Sequence, residues 1–189
     1  INPKVAPLEN ELNQKLLKCP FAKELSGDGY AILLRAVKGQ TELFREKNIP
    51  LLTELEKKSQ EYGAISAAMT IELDGKEYTL QQASKFLKST NRALREKAYR
   101  LIQSRRLEDA ASLNRLFDEL IGLRQEVATN ADFDNYRDYM FKAMGRYDYS
   151  PQDCFDFHES IRKSVVPLLL VIADKRKELL GLDTLRPWD

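Results

Sequence analysis

Residues 69–80, Met-Thr-Ile-Glu-Leu-Asp-Gly-Lys-Glu-Tyr-Thr-Leu, alternate apolar and polar side chains on either side of an Asp-Gly pair. Asp74-Gly75 accepts the positive φ values of a type I′ turn, so the flanking runs predict a β-hairpin with a two-residue loop. That loop fixes the register: Leu73 faces Lys76, Ile71 faces Tyr78 and Met69 faces Leu80. One face is then apolar. The other carries Thr70 against Thr79 and Glu72 against Glu77, a like-charge pair tolerable only in water. A lone hairpin is marginal, so its apolar face has to lie on other elements. Most of the rest of the chain reads as helix.

Tyr30, Leu33, Leu34, Val37, Thr41 and Phe44 recur at three-and-four spacing and predict the first convincing helix over 29–47. Asn48-Ile49-Pro50 resets the backbone, and Pro50 suits the first turn of a second helix that runs through Leu51, Leu52, Leu55 and Lys58 to Tyr62 and stops at Gly63. Thr79-Leu80-Gln81-Gln82 fits a capping box, which starts a short helix through Ala83, Phe86 and Leu87 straight out of the second strand. Thr90 or Asn91 caps a longer one. Over 112–129 the stripe Leu113, Leu116, Phe117, Leu120, Leu123, Val127 is unbroken and reads as core. Ser150-Pro151-Gln152-Asp153 opens a last helix with a cap, a Pro at the first position and an acid at the third. It runs to Leu180, stops at Gly181 and is kinked at Pro167. The expected fold class is mainly α, an antiparallel helical bundle or array with one small β-hairpin near 69–80.

Charge excludes several functions. Lys and Arg number 30 against 29 Asp and Glu, so no global field calls for nucleic acid or an anionic membrane. The longest apolar run, 165–173, is about half a membrane span and contains Pro167, so it reads as a buried helix. No nucleic-acid partner and no membrane are expected. The one basic concentration is Arg92, Arg95, Lys97, Arg100, Arg105 and Arg106. At about 100° per residue these charges spread around much of a helix with Tyr99 as the only aromatic, so a solvated face, or pairing with Glu108 and Asp109, outweighs base stacking. Cys19 and Cys154 read as free, mostly buried thiols of a reducing cytoplasm.

After Asn130 the composition changes. Asp132, Phe133, Asp134, Asn135, Tyr136, Arg137, Asp138 and Tyr139, then Gly145, Arg146, Tyr147, Asp148 and Tyr149, mix aromatics, carboxylates and guanidiniums. The mixture suits a partly buried polar network at a contact surface. Asp132-x-Asp134 is a poor calcium loop, because Tyr136 and Arg137 stand where an oxygen ligand and the turn glycine belong. The single histidine, His158, lies close to an apolar stripe and reads as a core or boundary residue. Its only metal-ligand neighbours at helical spacing are Cys154 and Glu159, which do not make a site.

The sequence YGAISAAMTIELDGKEYTLQQASKFLKSTNRALREKAYRLI over 62–102, including an R-x-x-R-x-x-x-Y pattern at Arg92, Arg95 and Tyr99, resembles the N-terminal domain of oligoendopeptidase F proteins. The resemblance continues in order through NYRDY, GRYDYSPQDCFDFHE and VVPL into LGLDTLRPWD. It places the chain among the thimet-oligopeptidase-like zinc metallopeptidases, whose metal is held by an H-E-x-x-H helix. One histidine cannot supply that pair, so no residue here is assigned to catalysis or to metal, and none can be named for substrate. The resemblance divides the chain into an N-terminal helical region, 1–110, with the oligoendopeptidase F-type domain at about 62–130, and a second region, 111–189, holding the first helices of the peptidase part before the zinc site. The chain begins without Met and stops directly after its only Trp; both ends read as cuts, with the packing partner of Trp188 expected in sequence beyond them. A processed chain that simply begins and ends there is the other reading.

What the resemblance implies for the whole protein is a zinc endopeptidase acting on short peptides, and the free thiols place it in the cytoplasm. There zinc acidifies a bound water and the motif's glutamate takes its proton. This chain would be an inactive helical wall of the substrate channel, with the rest of the peptidase chain as its partner and no cofactor of its own. The alternative is a stand-alone helical adaptor using the hairpin edge and the Tyr/Arg cluster from Tyr136 to Tyr149. A helical repeat of about 34 to 45 residues would favour it, and no such self-similarity is present.

Overall fold

The structure is a computed structural model and describes residues 3–189. In chain order the elements are α1 (Ala6–Lys18), α2 (Asp28–Leu43), α3 (Asn48–Ala67), β1 (Thr70–Leu73), β2 (Lys76–Thr79), α4 (Leu80–Ala83), α5 (Arg92–Glu108), α6 (Ala110–Asn130), α7 (Tyr136–Ala143), α8 (Pro151–Ser164) and α9 (Val166–Leu180). The expected class, mainly α with one small hairpin, holds. The chain divides into two compact units: Ile1–Gln60 with Leu116–Pro151, and Glu61–Arg115 with Gln152–Asp189.

The core of the first unit is built from helix faces. Val37 and Leu43 of α2, Leu55 of α3, Leu116, Leu120 and Val127 of α6 and Tyr139 of α7 are buried. Phe117, expected in the same stripe, is 57% exposed. It stands about 100° around the helix from Leu116, and the buried positions fall four and eleven residues from Leu116 instead. Asn48, at the start of α3, is a buried amide. Its Nδ2 donates to the Val127 carbonyl at 2.9 Å, and its Oδ1 accepts from Asn130 Nδ2 at 2.7 Å. Both ends of the side chain are satisfied, which offsets the cost of its burial.

The helix expected over 29–47 ends at Leu43, with Phe44 extended just beyond it, and two further helix limits differ from expectation. α1 precedes the first helix expected, and it has no buried residue; Leu8 and Leu12 are 60% and 64% exposed. The signal is present in the sequence all the same, with Leu8, Leu12 and Leu16 recurring at four-residue spacing. α3 runs through Gly63 to Ala67, because Ala64 directly after it and Ala67 one turn on are strong helix formers and offset the cost of about 1 kcal/mol for an interior glycine.

In the second unit the hairpin has the expected register, Thr70 with Thr79, Ile71 with Tyr78, Glu72 with Glu77 and Leu73 with Lys76. Asp74 and Gly75 both have positive φ, 54° and 74°, as a type I′ loop requires. Met69, Ile71 and Leu73 are buried, and Ile71 forms a core with Ala83 and Ile102. The strand passes directly into α4 through the capping box. Thr79 Oγ1 accepts from the Gln82 amide, and Gln82 Oε1 accepts from the Thr79 amide. Asn91 is the residue that caps α5.

The expected last helix is two, α8 and α9, joined at Val165 with Pro167 in the first turn of α9. The kink is local: the Val165 amide still donates to Ile161 and the Leu169 amide to Val165. The apolar run over 165–173, expected to be buried, is not. Leu168 to Ile172 are each between 50% and 64% exposed, and α9 has no buried residue. Among the described residues no helix is long and apolar enough to cross a membrane.

Candidate functional site

On α5, residues 92, 95 and 99 are spaced three and four apart and share one face. This is the R-x-x-R-x-x-x-Y pattern, and it receives the chain's last residues. Arg92 grips Asp189 with two hydrogen bonds, Nε to Oδ1 at 2.8 Å and Nη2 to Oδ2 at 2.9 Å. Arg95 Nε donates to the Trp188 carbonyl at 2.6 Å, and its Nη1 donates to the Ser89 carbonyl at 2.9 Å. The Tyr99 and Trp188 rings are 5.4 Å apart, and the Arg100 guanidinium lies 4.9 Å from the indole centroid. The Arg92 hydrogen bond holds the Asp189 carboxyl below the usual aspartate range, against the opposing effect of burial. Trp188, expected to find its packing partner beyond the chain, has it on α5, because Tyr99 and two flanking guanidiniums supply an aromatic and cationic seat.

Three other cations of α5 are also paired. Lys97 bonds Asp74 at 2.7 Å, Arg100 bonds Glu96 at 2.8 Å, and Arg105 bonds Asp109 at 2.5 Å with Glu108 at 3.6 Å. The end of α3, the hairpin and the α4 region border an open groove of about 830 Å³, with Tyr62, Met69, Leu80, Arg106 and Leu113 in its walls.

The aromatic and charged segment after Asn130 forms its network within the first unit. Asp132, with φ of 65° just past the end of α6, accepts from Arg45 at 2.7 Å. Arg35 donates twice to Asp148, at 2.7 and 3.3 Å, and its guanidinium stands 5.2 Å from the Tyr147 ring. Asn135 caps α7 by accepting from the Asp138 amide. Arg137, and secondarily Asn135, hold the Asp138 carboxyl below its usual range. Tyr139 is buried between Phe133 and Tyr136, each ring 5.8 Å away, and burial pushes its hydroxyl pKa up. Residues separated by about 100 positions in sequence are thus brought together.

His158 is exposed rather than a core or boundary residue, since the apolar stripe it follows is itself uncovered. Cys154, one turn earlier, is half-buried, as is Cys19; both were expected to be mostly buried. Glu159 is committed to Arg162 at 2.6 Å and Lys163 at 3.3 Å. Among the described residues no group of three or more His, Cys, Asp or Glu could hold a metal ion.

The geometry thus defines a helical scaffold that carries a docked segment, Arg186–Asp189. Residues 85–189, more than half of the chain, match peptidase family M3, and the chain belongs to that family. None of the curated proteins matches it. Among solved structures it is similar to a protein assigned as oligoendopeptidase F from Bacillus anthracis str. Ames, at 22% identity and a TM-score of 0.93 over 100% of this chain and 35% of that one. A second assigned oligoendopeptidase F, solved at 3.1 Å, is 25% identical with a TM-score of 0.93, covering 99% of this chain and 33% of its own. PZ peptidase A with inhibitor 2 is 24% identical with the same TM-score and the same coverage. The chain spans about a third of the length of the structures it matches.

Proposed function

We propose that the chain is a helical, non-catalytic part of a zinc metallopeptidase that hydrolyses short oligopeptides, and that it forms one wall of the substrate channel. Its partner in this reading is the remaining portion of an M3 peptidase chain, which supplies the H-E-x-x-H helix that a single histidine cannot provide. The observation that carries the proposal is α9. Five consecutive apolar residues, Leu168 to Ile172, point around the whole circumference of the helix, and all are at least half exposed. A helix apolar on every side belongs to the interior of a larger protein. The coverage of only a third of each similar structure supports the same reading. A reducing, cytoplasmic setting is part of the proposal, supported by the free thiols Cys19 and Cys154.

The test is cleavage of an internally quenched oligopeptide with added zinc. The chain alone is expected to give no turnover, and joined to the remainder of an M3 peptidase it is expected to give chelator-sensitive turnover. Chelator-sensitive cleavage by the chain alone would overturn the assignment.

A further inference from the structure

The seat on α5 is more than a chance contact. The side chain of Asp189 is wholly covered, with a relative exposure of 0%. A covered carboxylate is unfavourable unless it is paired, and here two guanidiniums converge on it, Arg92 bidentate and Arg95 at 3.6 Å. Trp188 Nε1 is buried and makes no hydrogen bond, so ring packing against Tyr99 and the cation of Arg100 is what holds the indole. The segment is also turned on itself: the Arg186 amide donates to Asp189 Oδ2 at 3.0 Å, and the Asp189 amide donates to the Arg186 carbonyl at 2.9 Å. Arg95 ties it to the residues before α5 by bonding Ser89 and Trp188 at once. Helices α8 and α9, which lead into this segment, bury no residue.

We propose that Arg186–Asp189 is a strap, seated on Arg92, Arg95, Tyr99 and Arg100, that tethers α8 and α9 to the hairpin and α5. Recognition is of an adjacent aromatic and acidic pair: the guanidiniums select the carboxylate, and the Tyr99 and Arg100 side chains select the indole. This goes beyond the peptidase reading and does not depend on it.

Trp188 is the chain's only tryptophan, so its fluorescence reports the seat directly. The measurements are the emission maximum and acrylamide quenching in the 189-residue chain, with far-ultraviolet circular dichroism as the check on folding. Asp189→Asn and Arg92→Gln are each expected to shift emission to the red and raise quenching several-fold while helicity is kept. Lys97→Gln removes the same charge from α5 but pairs with Asp74, and is expected to leave the emission unchanged. The exchange Arg92→Asp with Asp189→Arg is expected to recover part of the protection. Trp188 as accessible in the parent chain as in free tryptophan would overturn the strap. So would an unaltered Asp189→Asn, an equal shift in Lys97→Gln, or loss of helicity in Asp189→Asn, which would make Asp189 a core residue of the unit.

Discussion

Gly39 sits inside α2 where the side chain of Tyr147 presses against the helix. A Cβ placed there would meet Tyr147 Oη at 1.8 Å and Cζ at 2.9 Å, so the ring must leave if Gly39 becomes alanine. Two effects compete. Alanine in a helix interior is favoured over glycine by about 0.5 to 1 kcal/mol. Forcing a group into an occupied site costs about 1 to 3 kcal/mol, and here the displaced ring also gives up its contact with Arg35, about 0.5 to 1 kcal/mol at an exposed site. The clash wins, and Gly39→Ala is expected to destabilise the protein by about 1 kcal/mol. With Tyr147→Ala already present the clash is gone, and the same substitution is expected to stabilise by about 0.5 to 1 kcal/mol. Urea denaturation of the four members of this cycle reads both signs, with a coupling of about 2 kcal/mol between the sites. A Gly39→Ala chain as stable as the parent or more so, with Tyr147 intact, would refute the close approach.

Asn48→Leu keeps the volume but leaves the Val127 carbonyl and the Asn130 amide without their partner, and is expected to cost about 2 kcal/mol or more by urea denaturation. Acid should release the terminal segment late: because the folded-state pKa of Asp189 is depressed, its contribution is present above the unfolded value and is lost only as pH falls through the lower folded one. Arg92, Arg95 and the Arg186 amide face that carboxylate, none of them titrating in acid, so Trp188 emission should hold constant down to the usual aspartate range and move to the red only below it.

Where a structural decision is local, the sequence carries it. Asp74-Gly75 specifies the turn and with it the register of Ile71 on Tyr78, because two residues of positive φ leave a two-residue loop few alternatives. Thr79 and Gln82 cap α4 reciprocally, as their spacing requires. Pro167 marks the bend between α8 and α9. The pairing of Arg105 with Glu108 and Asp109 was equally readable, being a one-turn relation.

What could not be read are partners distant in sequence, and the candidate site consists of these. Nothing near Arg92 announces Asp189, 97 positions away, and nothing near Gly39 announces Tyr147. Composition gave one usable hint for each, the R-x-x-R-x-x-x-Y spacing and the density of Tyr, Arg and Asp after Asn130. Burial was misjudged at α9 for a related reason. Apolar periodicity states that a surface must be covered without stating which chain covers it, and the rule that apolar side chains go inside assumes that the whole core is at hand. α9 breaks that assumption while the hairpin obeys it: Ile71 finds Ala83 and Ile102 within about 30 positions, whereas no side of the Leu168 to Ile172 turn is covered. A helix of this composition gains stability chiefly from packing rather than propensity, so if the proposed partner is right, the surface that covers α9 is expected to be broad and apolar, and α9 is expected to be the part of this chain that responds most to it.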